Sequence, residues 1–349
     1  MNKDQLKEMY TDAMERLMKS RSADGMWRGA LSSSAISTAV SVFALQRIDA
    51  DRYTLQISAG VRWLRATMRA DGSWGDSVES PSNMTATLLT YVSLYAVGQA
   101  PAESRQLLDS QFGGDSEEAL TQGVLRYYGR DLTFSVPILM MCALAGVVRS
   151  WKNIPTFPFE LATLPQRLFR YLNLPVVSYA IPALIAIGIC QMHKTGGWLS
   201  PLRRLFVPKA MRVLLRMQPA DGGFLEAAPL TAFVSMCLAE GGFREHEVTQ
   251  RCARFLVDTV RDDGSWPIDT NLSGWLTSLA AKVLPQTSDI SLHTSNIIRR
   301  NATTTVHPFT AAAPGGWGWS DLSGSVPDGD DTSGALVALH YLLMEDGRR

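Results

Sequence analysis

An excess of charge of either sign is missing from this chain. Across 349 residues, 33 Lys and Arg balance 33 Asp and Glu, for a formal net charge of zero. Such a balance argues against a nucleic-acid binder that works through bulk electrostatics. Cysteine is scarce as well. The four present, Cys142, Cys190, Cys237 and Cys252, lie in apolar or periodic segments with no CxxC spacing. That pattern argues against a disulfide framework and fits buried free thiols in a reducing compartment. The N-terminus lacks the apolar core of a signal peptide, because residues 1–18 carry Lys3, Asp4, Lys7, Glu8, Asp12 and Glu15. A charged amphipathic helix and a cytoplasmic location are expected. Uninterrupted apolar spans are lacking too. The uncharged run 132–148 contains Pro137, and the run 171–192 contains Asn173, Pro175 and Pro182. The second is long enough to cross a bilayer, but its prolines favour a helix buried inside protein. Acid is absent locally: between Leu161 and Ala220 there is no Asp or Glu, while Arg167, Arg170, Lys194, Arg203, Arg204, Lys209, Arg212 and Arg216 occur.

What the chain has in quantity is hydrophobic residues, 46% of the total, enough for one large or two ordinary domains. They are organised by a repeat. The phrases are Ala23-Asp24-Gly25-Met26-Trp27, Ala70-Asp71-Gly72-Ser73-Trp74, Ala220-Asp221-Gly222-Gly223-Phe224 and Asp262-Asp263-Gly264-Ser265-Trp266. Gly315-Gly316-Trp317-Gly318-Trp319 is a degenerate fifth. The aromatic positions 27, 74, 224, 266 and 317 are 47, 150, 42 and 51 residues apart, and the long interval is about three ordinary periods. Gly113-Gly114 and Gly196-Gly197-Trp198 stand as worn copies within it. An amphipathic helix precedes each phrase, as at 57–68 and 211–217. The Asp-Gly pair stops it, because Gly enters the left-handed region cheaply. A nearly all-apolar helix follows, expected at 38–45, 85–97, 231–238, 276–284 and 335–343. Helix pairs of this kind suit a closed double ring with apolar members inside and amphipathic members outside. Strand content should be close to nil. A helical solenoid used as a scaffold is the competing architecture, although tetratricopeptide and armadillo repeats do not carry an aromatic after Gly.

The sharpest motif is Val326-Pro327-Asp328-Gly329-Asp330-Asp331-Thr332, followed by an apolar helix from Gly334. Carboxylates at a helix start meet the positive end of its dipole. Crowding raises at least one apparent pKa, since close like charges resist full ionisation. A neutral carboxylic acid in an apolar cavity is the device needed to protonate an alkene. Simpler explanations compete. An N-cap needs only one Asp. A calcium loop of EF-hand type fails, because Ser333 and Leu339 fall where Gly and Glu are required. A magnesium-binding prenyl synthase motif has similar letters without its usual partners.

The repeat and this motif together resemble the squalene–hopene cyclase family of protonation-initiated (class II) terpene cyclases. In that family the repeat runs Leu, Gln, Gly, Trp. Leu214 or Leu215, Gln218, Gly222 and Phe224 follow it with Phe for Trp, whereas Arg21, Met68 and Val260 replace the Gln in other copies. The resemblance implies an all-α fold of α/α barrels. Residues 1–267 would form a first barrel, and residues 268–349 would open a second, or the repeats would close into a single one. It also implies an acid motif in which Asp330 is the proton donor, Asp328 and Asp331 are flanking carboxylates, and Thr332 completes the signature. Trp317 and Trp319 stand where the family places aromatics that stabilise cations, although a core or lock role suits them equally. The implied reaction is cyclisation of a linear isoprenoid such as squalene to a hopanoid-type product, with no metal and no organic cofactor. The implied partners are the lipid substrate and, peripherally, the inner face of the cell membrane.

Other functions remain open at this point. A diterpene-type cyclase acting on a prenyl diphosphate shares the acid motif. An inactive half or scaffold would need a second chain or a homodimer. A zinc-dependent protein prenyltransferase shares the double ring, but His193, His246, His293, His307 and His340 show no ligand spacing. For membrane contact, the cations between 203 and 216 interleave with Leu202, Leu205, Phe206, Val207, Met211, Val213, Leu214 and Leu215, a basic amphipathic pattern suited to an anionic bilayer.

Overall fold

The computed structural model describes residues 2–164, 180–283, 288–307, 310 and 312–346, and the protein is predominantly helical. In chain order the main helices are α1 (Lys3–Lys19), α2 (Ala35–Asp49), α3 (Thr54–Ala66), α4 (Met84–Ala96), α5 (Ala102–Phe112), α6 (Glu117–Tyr128) and α7 (Leu132–Ala145). After these come α8 (Ile181–Thr195), α9 (Ser200–Arg204), α10 (Val207–Met217), α11 (Ala228–Leu238) and α12 (Glu247–Asp258). The last are α13 (Ser273–Ala281), α14 (Ser288–Arg300) and α15 (Gly329–Asp346). Among the described residues the only sheet is an antiparallel ladder of two-residue strands, β1 (Ser33–Ser34) and β2 (Trp266–Pro267). No helix of the described residues is long and apolar enough to cross a membrane. The run 132–148 supplies α7, with Pro137 inside it, whereas 171–179 lies outside the described residues.

The helices fall into two compact units, Ser32–Ile268 on the one hand and Met1–Leu31 with Asp269–Arg349 on the other. In this division the first 31 residues go with the C-terminal segment.

Within Ser32–Ile268, α2, α4, α7, α8 and α11 pack in succession, and α11 packs back on α2. These are the apolar helices of the repeat. In α4 every residue from Ala86 to Leu94 is buried, and in α2 Ser37 to Leu45 are. The amphipathic helices cover them: α3 lies on α2, α5 on α4, α6 on α7, α10 on α8 and α12 on α11. In α10 the buried positions Val207, Ala210, Met211, Leu214 and Met217 form one stripe at helical spacing, which is why this strongly basic helix still docks by one face. Side-chain caps start several helices. Ser34 accepts from the Ser37 amide, and Asn83 from the Ala86 amide, satisfying amides that have no partner within the helix.

The Asp-Gly phrase ends the helix before it. Gly264 has φ +87, and a Cβ there would stand 2.7 Å from the Ala59 backbone, so only glycine fits both the conformation and the space. The preceding Asp accepts the amide two residues on, Asp263 from Ser265 at 2.9 Å and Asp71 from Ser73 at 3.1 Å.

In the other unit, α13, α14 and α15 pack on one another. Ala281, Ile298, Ala335, Ala338 and Leu342 form one core cluster, against which Trp317 and Leu339 pack. Trp27 and Ala280 form a second with Met14, Leu17, Met18, Leu276 and Ile290.

Candidate functional site

The repeat phrase works as a two-ended lock. Each Trp indole N–H donates to a carbonyl of the helix before it: Trp74 to Leu64 at 2.8 Å, Trp266 to Leu256 at 2.7 Å, Trp27 to Leu17 at 2.7 Å and Trp317 to Ile298 at 2.6 Å. Each phrase's backbone amide donates to the hydroxyl of a threonine in the first turns of an apolar helix. Trp74 meets Thr87 at 3.1 Å, Phe224 meets Thr231 at 2.9 Å and Trp317 meets Thr332 at 3.0 Å. Two phrases exchange partners. Trp266 bonds Thr38 of α2 at 3.0 Å, and Trp27 bonds Thr277 of α13 at 3.1 Å. The exchange is why the first 31 residues belong with α13 rather than α2. Gln218 donates to the Gly222 carbonyl at 2.9 Å, and Arg21, at the equivalent position, makes the same bond to Gly25 at 2.9 Å. Arg21 also lies over the Trp27 ring, 5.3 Å from its centroid. Replacing Gln by Arg therefore preserves the tie. Trp198, read as part of a worn copy, is instead 88% exposed.

Two of the six residues singled out around the carboxylates belong to this lock. Thr332 and Trp317 hold the start of α15 to the chain before it, with Thr332 also donating to the Trp317 carbonyl at 3.3 Å. Trp319 is half-buried, and its indole nitrogen has no hydrogen-bond partner among the described residues. Its carbonyl accepts the Trp275 amide at 3.0 Å.

The three carboxylates occupy three different environments. Asp328 precedes α15 and caps it, accepting the Asp331 amide at 2.8 Å; its own amide donates to the Trp317 carbonyl at 3.1 Å. Asp331 is 6% exposed, and its Oδ1 is buried with no hydrogen-bond partner among the described residues. Burial, with the charge and hydrogen bond of Asp328 and the charge of Asp330 added to it, pushes its pKa up to about 7. Asp330, the residue that the family resemblance makes the proton donor, is exposed. The reason is helical geometry: residues one apart on a helix point about 100° apart, and Asp331 takes the core-facing direction.

One face beside this site is apolar and open. Trp275 and Leu279 of α13 and Leu336, Val337 and Tyr341 of α15 are all at least one-third exposed, although both helices read as inner members of the repeat. A Cβ on Gly334 would lie 3.9 Å from the Trp275 ring, which places this indole beside the first turns of α15. Sequence reasoning passed over Trp275, although an aromatic inside an apolar helix was the available signal. It passed over two polar features as well. Asp321 pairs with Arg28 at 2.8 Å and accepts Ser273 Oγ at 2.7 Å, and Arg28 holds its pKa down to about 2. His307 is buried, and burial lowers its pKa, partly offset by a hydrogen bond with the Ser325 backbone. Among the described residues no group of three or more His, Cys, Asp or Glu is placed to hold a metal ion.

Residues 10–112 match the squalene-hopene cyclase N-terminal domain family. The chain is similar to Enfumafungin synthase efuA of Hormonema carpetanum, 28% identical over 74% of this chain and 20% of that protein. It is also similar to a Probable squalene--hopene cyclase of Sinorhizobium fredii (strain NBRC 101917 / NGR234), 27% identical over 46% of this chain and 23% of that protein. The match thus spans about a fifth of each relative's length. A crystal structure of a protein from Actinoplanes aligns with 95% of this chain and 99% of its own at 16% identity, with a TM-score of 0.31, a likeness too slight to bear on the fold. The chain is a distant homologue of the class II triterpene cyclases.

Proposed function

From that distant homology, we propose that the chain is the acid-bearing part of a protonation-initiated isoprenoid cyclase built on α/α barrels. The observation that carries the reading is the carboxylate trio at the start of α15, with Asp331 buried beside Asp328 and Asp330, a setting that pushes its pKa up to about 7. In this reading the proton that crowding keeps on the trio, held on buried Asp331, passes through exposed Asp330 to a carbon of a terminal alkene. A C–H bond forms as the O–H bond breaks, and a tertiary cation is left on the neighbouring carbon. Asp331 keeps the trio from ionising fully, and Asp328 fixes the helix start. Ring closures consume further double bonds, and loss of a proton ends the sequence, so the product is an isomer of the substrate. The indole faces of Trp275 and Trp319 are the candidates to stabilise the cations. The substrate is squalene or a similar linear isoprenoid, giving a hopanoid-type product; a prenyl diphosphate is the variant.

A carbocation survives only where water is excluded, and Asp330 is exposed. The open apolar face of α13 and α15 therefore favours a second reading, in which further helix-pair repeats, from a second polypeptide or another copy, must cover the site before it is active. One experiment addresses both. The chain is incubated with squalene, alone and with a candidate partner, and the extract is analysed for cyclic products. Cyclisation that Asp330→Asn abolishes supports the first reading, and activity restored only by the partner supports the second. Retained turnover in Asp330→Asn would end the assignment of the acid.

Peripheral membrane contact belongs to the same reading. Trp198, Leu199, Leu202, Leu205 and Phe206 are exposed next to the cations of α9 and α10, a combination that inserts at an anionic surface. Of those cations, Arg203 is paired with Glu160, so Lys209 and Arg216 are the better candidates for headgroup contact.

A further inference from the structure

A cavity of about 760 Å3 opens within Ser32–Ile268 between α8, α10 and the turn Ala239–Phe243. Its volume falls in the range of small-molecule sites, roughly 300–1,000 Å3. The walls are apolar, with Met192, Met211 and Phe243 among them, and the ionisable groups that line it are all basic: His193, Arg204, Arg212 and His246. Among the described residues no carboxylate lines it. The contrast with neighbouring cations is informative. Arg203 is tied to Glu160, and Lys194 to Glu240 at 2.6 Å, so acids are supplied to the cations beside the cavity. Arg204 and Arg212 pair with no carboxylate among the described residues, and Arg212 makes only an Nε bond to the Pro208 carbonyl at 3.3 Å. Leu202 and Leu205, 57% and 72% exposed, lie next to Arg204 in the chain.

We propose that this cavity is a binding site for a single-chain lipid with an anionic, phosphate-type head, its tail against Met192, Met211 and Phe243 and its head on Arg204 and Arg212. Guanidinium groups recognise phosphate oxygens through paired hydrogen bonds, and the apolar wall of the open cavity beside them favours a chain-bearing ligand over free phosphate. The residues that line it include none of the α15 carboxylates, so it stands or falls independently of the cyclase reading.

The test is calorimetric titration of the intact chain with dodecyl phosphate below its micelle concentration, with dodecanol and inorganic phosphate as comparison ligands. Dodecyl phosphate is expected to bind at least about tenfold more tightly than dodecanol, the equivalent of 1.4 kcal/mol, and far more tightly than inorganic phosphate. Arg204→Gln with Arg212→Gln, both exposed and so compatible with folding, should erase the preference over dodecanol. Leu215→Trp, which fills the cavity, should weaken both chain-bearing ligands while circular dichroism stays native. Equal affinity for dodecyl phosphate and dodecanol would overturn the proposal. So would inorganic phosphate binding as tightly as dodecyl phosphate, or a double variant indistinguishable from the wild type.

Discussion

Asp331→Asn should stabilise the protein, and only where the wild-type carboxyl has to ionise. The wild-type group moves from an ordinary 3.8 to about 7 because it is buried beside Asp328 and Asp330. A carboxyl whose folded-state pKa is raised supports the fold fully below its unfolded value, and that support is lost as pH climbs from about 4 through about 7. At 1.36 kcal/mol per pKa unit the loss would reach roughly 4 kcal/mol. Burial of the carboxyl is the largest cause, and only the smaller contribution of solvent-exposed Asp330 is screened, so the loss is roughly 2–4 kcal/mol. Asparagine keeps the shape and removes the charge. Thermal unfolding followed by circular dichroism at pH 4 and pH 8 is the assay. The variant should match the wild type within a degree or so at pH 4 and exceed it by roughly 4 °C at pH 8. A gain of equal size at both pH values, or no gain at pH 8, would refute the idea that burial and crowding hold a proton on Asp331.

Other outcomes follow from the lock and from the surface. Thr38→Val should cost about 1–3 kcal/mol by leaving the Trp266 amide buried and unpaired, read as a lowered denaturation midpoint, and Thr87→Val should cost a similar amount. Arg28→Gln should remove about 1 kcal/mol of stability near neutrality; because Asp321 is held down to about 2, the wild type loses this support as pH falls from about 4 to 2, and the variant's stability should be flatter over that window. Lys209→Gln with Arg216→Gln and Trp198→Ser should reduce co-sedimentation with anionic vesicles at low salt; unchanged sedimentation would make the segment ordinary protein surface.

The helix periods, the helix stops and the position of the acid motif were legible in the sequence because each depends on neighbours a few residues away. The stripe of α10 can be read directly, and Asp-Gly punctuates the chain wherever glycine must enter the left-handed region, as at Gly264. Burial at the acid motif was less legible. Three carboxylates within four residues look alike in sequence, and only the rotation of α15 against its core turned Asp331 inward and left Asp330 in solvent. Trp198 carried the letters of a lock without a helix carbonyl and a threonine to bond, so its indole lies in solvent.

The sequence by itself determined that this protein is a repeat of helix pairs punctuated by Gly-aromatic phrases, because the signals for helix, stop and apolar face are local. It did not determine which lock closes on which helix. Trp27 and Trp266 are each followed, at the same spacing, by a threonine near the start of an apolar helix, Thr38 and Thr277, and either pairing would satisfy the same two hydrogen bonds. Tertiary structure chose the exchanged one, Trp27 with Thr277 and Trp266 with Thr38. The two strands of the β1–β2 ladder carry the chain past each other at that point, so partners distant in sequence meet and the first 31 residues join the unit that bears the acids.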